Sequence, residues 1–129
     1  MERIILDTGV LVAAVRGRIL LPVDADISIP AVAVAEFLAG VHLGSDVGHQ
    51  AAQRAFLEDV LAVVPVSQYD RRVAEHHAEL LAHTARAGRP RGAHDLIIAA
   101  TGRATDRVVL TTDVAANFGE LPGVEVRIA

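Results

Sequence analysis

Four carboxylates stand at the margins of apolar runs: Asp7 after Arg3-Ile4-Ile5-Leu6, Glu36 inside Ala31 to Leu43, Asp95 ahead of Leu96-Ile97-Ile98-Ala99-Ala100, and Asp113 after Val108-Val109-Leu110-Thr111. Hydroxyls accompany them at Thr8, Thr111 and Thr112. Each acid has a structural alternative: Asp7 and Asp95 suit a helix cap or first turn, and Glu36 a solvent-facing position. Brought together, however, four carboxylates raise one another's pKa and cannot all stay ionised without a cation. A hard divalent ion resolves the repulsion, and an all-oxygen set in a chain without cysteine favours Mg²⁺ or Mn²⁺ over zinc.

The elements around these acids decide whether they meet. Arg3 to Leu6 is short, apolar and sharply bounded, as expected of a strand buried on both faces. Arg107 to Thr111 reads the same way. Both would deliver a carboxylate and a hydroxyl to the carboxyl edge of a parallel sheet, where open α/β sheets place ligands. Ile27-Ser28-Ile29, Val63 to Val66 and Val124 to Ile128 are further short strands, the last at an edge. Helices are predicted over Val10 to Val15, Ala31 to Leu43 (with Glu36 its only charged residue), Val47 to Val63 with Ser45 or Asp46 as N-cap, and Gln68 to Ala87. Asp95 belongs to the first turn of another, and Asn117 to a helix, or its end, after Asp113. The amphipathic pair Val47–Val63 and Gln68–Ala87 predicts a helical hairpin added to the α/β core. One domain over residues 1–129 fits the length.

Composition excludes much. All 12 basic residues are arginine, so no Walker P-loop, Schiff-base lysine or receiver-type lysine is possible. Zero cysteines remove disulfides, thiolate zinc sites and thiol nucleophiles. A net charge of −4 gives no global attraction to nucleic acid, so any such contact needs a local arginine surface. The densest is Arg86-Ala87-Gly88-Arg89-Pro90-Arg91-Gly92, a loop that leads straight to Asp95. The six histidines include no i, i+4 zinc pair and read as core-edge or surface residues. No run approaches the length of a membrane span, nor does the N-terminal stretch follow a signal-peptide pattern, so no membrane association and a cytoplasmic location are expected.

In order and spacing, Asp7-Thr8-Gly9-Val10-Leu11, Ala35-Glu36-Phe37-Leu38-Ala39-Gly40, His94-Asp95-Leu96-Ile97-Ile98-Ala99-Ala100-Thr101 and Leu110-Thr111-Thr112-Asp113 resemble the PIN domain, above all the VapC toxins of bacterial toxin–antitoxin pairs. The resemblance covers essentially the whole chain. It implies a three-layer α/β/α fold with a central parallel sheet of about five strands. It also implies a Mg²⁺- or Mn²⁺-dependent endoribonuclease that cuts RNA (transfer, ribosomal or messenger) and so stops translation and growth. The implied partners are a VapB-type antitoxin, whose C-terminal tail blocks the acidic site, and a second copy in a homodimer or larger assembly. Two departures stand out: family members often carry Ser or Asn where this chain has Gly9, and Phe118 follows Asp113 by five residues rather than four.

Asp7, Glu36, Asp95 and Asp113 are then the catalytic and metal-holding acids, with Glu36 acting through water or orienting the nucleophile. Thr8, Thr111, Thr112 and Asn117 support them, while Arg89 and Arg91 are candidates for holding the RNA backbone, which positions RNA without reading its sequence. An aspartyl-nucleophile phosphatase would need an acid at position 9 and a lysine, and this chain has neither. A non-catalytic PIN-like partner-binding module is the alternative; retention of all four acids counts against it.

Overall fold

Three consecutive aliphatics, Ile4, Ile5 and Leu6, are completely buried at the centre of the protein. The computed structural model describes residues Met1 to Ala129. Around that centre runs a five-stranded, wholly parallel sheet of order β3-β2-β1-β4-β5. The strands are β1 (Arg3–Leu6), β2 (Asp26–Pro30), β3 (Val66–Ser67), β4 (Val108–Thr111) and β5 (Val126–Ile128). Strand alternation sends Ile4 and Leu6 to one face and Ile5 to the other, so β1 serves two separate cores.

The helices are α1 (Thr8–Val15), α2 (Ala31–Leu43), α3 (Val47–Leu61), α4 (Arg71–Ala87) and α5 (Ala93–Ala104). Two 3₁₀ turns, Val114–Ala116 and Phe118–Glu120, bridge β4 and β5. Helix α1 starts two residues earlier than expected because Asp7 caps it. Asp46 caps α3, accepting from the His49 N–H at 2.7 Å. Asp70 caps α4, accepting from the Val73 N–H at 2.9 Å, which moves that start from Gln68 to Arg71. No helix is long and apolar enough to cross a membrane.

The expected helical hairpin does not form. Leu57 and Val60 of α3 join Val10, Leu11, Phe37 and Val41 of α1 and α2 on one face. Val73 and Leu80 of α4 join α5 on the other, with Ile5, Val109 and Phe118. Chain direction is the cause. From β1 to β2 to β3 the chain steps one way across the sheet, and from β3 to β4 it steps back. Right-handed crossovers in opposite directions put their helices on opposite faces.

Helix α5 lies very close to the sheet. A Cβ at Gly102 would come within 3.1 Å of Val109 Cγ2 and 3.3 Å of the Arg107 carbonyl oxygen. At the amino ends of the strands, buried Arg107 donates through Nη1 to the carbonyls of Asp26 (2.6 Å) and Ile4 (3.2 Å), and through Nη2 to Asp26 Oδ1 (3.1 Å). One guanidinium therefore joins three strands. Gly102→Val should lift α5 off the sheet and destabilise the protein by about 1–3 kcal/mol, the usual cost of overpacking, seen as a lower urea midpoint with an unchanged slope.

Candidate active site

The strand order reverses between β1 and β4, and a crevice at the carboxyl ends of the strands opens where such a reversal occurs. Asp7 ends β1 there, and Thr111, Thr112 and Asp113 end β4. Asp7 is buried (7% exposed), with both oxygens engaged. Oδ1 accepts from the Thr8 N–H at 2.8 Å, and Oδ2 from the Thr111 hydroxyl at 2.7 Å. Thr111 Oγ1 in turn accepts from the Asp113 N–H at 2.9 Å. The hydroxyl is thus the pin between the two strand ends.

The network continues across α2. The Thr8 hydroxyl donates to Glu36 Oε1 at 2.8 Å, and Glu36 Oε2 lies 3.3 Å from His94 Nδ1. Glu36 therefore faces the site rather than solvent. His94 joins the acids although the histidines read as core-edge or surface residues in the sequence; its signal there is adjacency to Asp95. Asp95, in the first turn of α5, stands in the field of Asp7, Asp113 and Glu36. The four acids thus share one electrostatic environment at this end of the sheet.

Burial, above all, raises the Asp7 carboxyl above its usual 3.8; the Thr111 and Thr8 hydrogen bonds oppose this, and the charges of Glu36 and Asp113 add to it. Asp95 is raised by burial first, then by Asp7, Asp113 and Glu36, with His94 opposing. No three carboxylates or imidazoles are drawn into a closed ligand cage. The donor set still fits Mg²⁺ or Mn²⁺, because Mg²⁺ keeps several waters and needs only one or two carboxylates.

The supporting residues divide. A Cβ at Gly9 would lie 2.6 Å from Thr112 Oγ1, so the Thr112 hydroxyl occupies the space that a side chain at position 9 would need. Asn117 lies between the two 3₁₀ turns in the left-handed conformation (φ 50°). That reversal takes up the additional residue after Asp113 and still delivers Phe118 to the core, where it is buried. A cleft of about 340 Å³ is lined by Arg89, Arg91, Asp95, Asp113, Asn117 and Glu120, among others. Arg89 reaches across to Glu120 at 3.4 Å with its side chain 74% exposed. The Arg91 guanidinium is turned inward onto the chain that follows Asp113.

Raised carboxyl pKa values carry a sign. Each such acid adds stability that is complete below pH 3.8 and is lost as pH rises through its elevated native value. In chelator at pH 7, ionised Asp95 consequently burdens the fold, and no protein hydrogen bond stabilises its charge. Asp95→Asn should raise the metal-free melting midpoint by a few degrees at pH 7, and the gain should vanish as pH approaches 4. Scanning calorimetry across that range checks both.

The PIN domain family model matches residues 4–120. Among solved structures, VapBC-5 of Mycobacterium tuberculosis, a member of the VapBC family of toxin–antitoxin systems, is 32% identical with TM-score 0.75, covering 96% of this chain and 94% of that one. DNA-bound VapBC of Salmonella typhimurium gives 24% identity and TM-score 0.82 over 99% and 98% of the two chains. VapBC2 of Rickettsia felis, bound to promoter DNA, gives 18% and 0.84 over 98% of each; these two speak to fold alone. No curated protein sequence matches the chain. With the family model spanning nearly all of the sequence and the site acids at the switch point of the expected sheet, the chain belongs to the PIN domain family, in its VapC-type branch.

Proposed function

We propose that this chain is a Mg²⁺- or Mn²⁺-dependent endoribonuclease acting as the toxin of a toxin–antitoxin pair in the cytoplasm. The shared electrostatic environment of Asp7, Glu36, Asp95 and Asp113 at one end of the sheet, tied together through Thr111 and Thr8, carries the reading.

Asp7, Asp95 and Asp113 would hold the metal, and their mutual repulsion in a partly buried crevice is what a cation relieves. When bound, the ion would polarise the scissile phosphodiester and favour ionisation of the attacking water. The chain's own contribution is orientation. Thr111 fixes Asp7 in one rotamer, Thr8 holds one oxygen of Glu36, and His94 lies against the other. These contacts support a role for Glu36 in orienting the water or taking its proton. Exposed Arg89 would hold the RNA backbone. Hydrolysis by water leaves a 5′-phosphate and a 3′-hydroxyl without using the RNA's own 2′-hydroxyl.

The VapBC-5 relative, a member of a toxin–antitoxin family, supports a VapB-type antitoxin partner, and a homodimeric or larger complex would go with it. An inserted arginine would neutralise the acidic crevice much as a cation does. Expression alone should then arrest growth, with relief on co-expression of the antitoxin. Harmless expression of intact, folded chain would favour the non-catalytic partner-binding reading.

Mg²⁺ or Mn²⁺ at a hundred times its dissociation constant should stabilise the native state by about 2.7 kcal/mol relative to chelator, visible as a higher melting midpoint. Asp95→Asn should reduce that shift and lower RNA cleavage by roughly 100-fold or more. Ligation that requires a 5′-phosphate should capture the downstream product directly. A 2′,3′-cyclic phosphate on the upstream fragment, or full activity in excess chelator, would overturn the mechanism.

A further inference from the structure

Arg91 lies in the most basic loop of the chain, yet its side chain is only 13% exposed. A guanidinium taken out of water must find acceptors, and Arg91 finds three. Nη1 donates to the carbonyls of Ala116 (2.6 Å) and Asn117 (2.9 Å), and Nη2 to Glu120 Oε2 (3.0 Å). All three belong to the segment that follows Asp113.

Ala116 is the hinge of this arrangement. Its N–H donates to Asp113 Oδ1 at 3.2 Å, while its carbonyl accepts from Arg91. The residue whose amide engages the Asp113 carboxylate is thereby gripped by Arg91 through its own carbonyl. Asn117 adds a reason for the grip. It holds a left-handed conformation that a non-glycine residue adopts at a cost, and the hydrogen bond to its carbonyl keeps the turn from relaxing. On the other side, Arg91 is joined directly to Gly92, the N-cap of α5. A Cβ at Gly92 would lie 3.1 Å from Asp95 Oδ2, so the Asp95 carboxylate lies over the space that a side chain at the N-cap would need. One side chain spans the gap between the element bearing Asp95 and the segment steering Asp113.

Given the nuclease reading above, we propose that Arg91 is a positioning residue that sets the separation of the Asp95 and Asp113 carboxylates and so the affinity for the divalent ion. It acts through the Ala116–Asn117 backbone and leaves contact with RNA to Arg89.

The test compares full-length wild type, Arg91→Ala, Arg91→Lys and Arg89→Ala. Without metal or RNA, the Ala116 amide should exchange with solvent at least about tenfold faster in Arg91→Ala. Mn²⁺ titrated without RNA should bind about 10–100-fold more weakly, as on loss of an outer-sphere partner. With RNA, kcat should fall about 100-fold while KM stays within about twofold. Arg91→Lys can reach one carbonyl and should recover part of each loss, whereas Arg89→Ala should raise KM. Should Arg91→Ala fail to fold, Arg91→Met, which keeps the packed stem without the donors, carries the same readouts. Wild-type Ala116 exchange or wild-type Mn²⁺ affinity in Arg91→Ala (or Arg91→Met) would overturn the positioning role, as would a raised KM with wild-type kcat in that variant. A wild-type chain that cuts no RNA would sink the nuclease reading alone, because exchange at Ala116 decides the Arg91 grip without activity.

Discussion

A single hydroxyl holds the centre of this protein together. Thr111 Oγ1 donates to Asp7 and accepts from the Asp113 backbone, and so joins the ends of the two strands that flank the reversal of strand order. The remaining contacts follow from that link. With Asp7 held in one orientation, the first turn of α1 brings Thr8 within reach of Glu36, and Glu36 meets His94 at the start of α5. The geometry passes from β4 to β1, then to α2 and α5, through these side chains.

This arrangement opposes the interests of stability. Burial and like charge both resist ionisation of Asp7 and Asp95, and a fully apolar strand end would fold more readily. The two cores carry the load. Both contain completely buried residues of the central strands, Ile5 of β1 and Val109 of β4 on one face and Ile4 and Leu6 of β1 on the other. The amino ends of the same strands are clamped by Arg107. Strain concentrated at one end of a sheet is tolerable when the other end and both faces are over-determined.

The parts of this fold that depend on local chemistry were legible in the sequence. Apolar runs located β1 and β4, and the acids declared themselves by interrupting those runs. What the sequence could not show was which face of the sheet each amphipathic helix would choose. An apolar stripe tells a helix to bury one side; handedness and strand order then separate α3 from α4. The same gap explains His94 and Arg91. One reads as a core-edge or surface histidine and the other as an exposed cation, because their partners, Glu36 and the Ala116–Glu120 segment, lie 20 or more positions away. Glu36 was legible as an oddity in an apolar helix but not as the acceptor of a threonine hydroxyl.

The two edges of the sheet differ from its centre in a way that bears on how the chain associates. Strand β3 contributes only Val66–Ser67 and β5 only Val126–Ile128, the latter exposed along its length and carrying Arg127 in an ion pair with Glu2. Stubby borders, one of them charged, present few free amides and carbonyls to an incoming strand. The sheet is thereby guarded against edge-to-edge polymerisation.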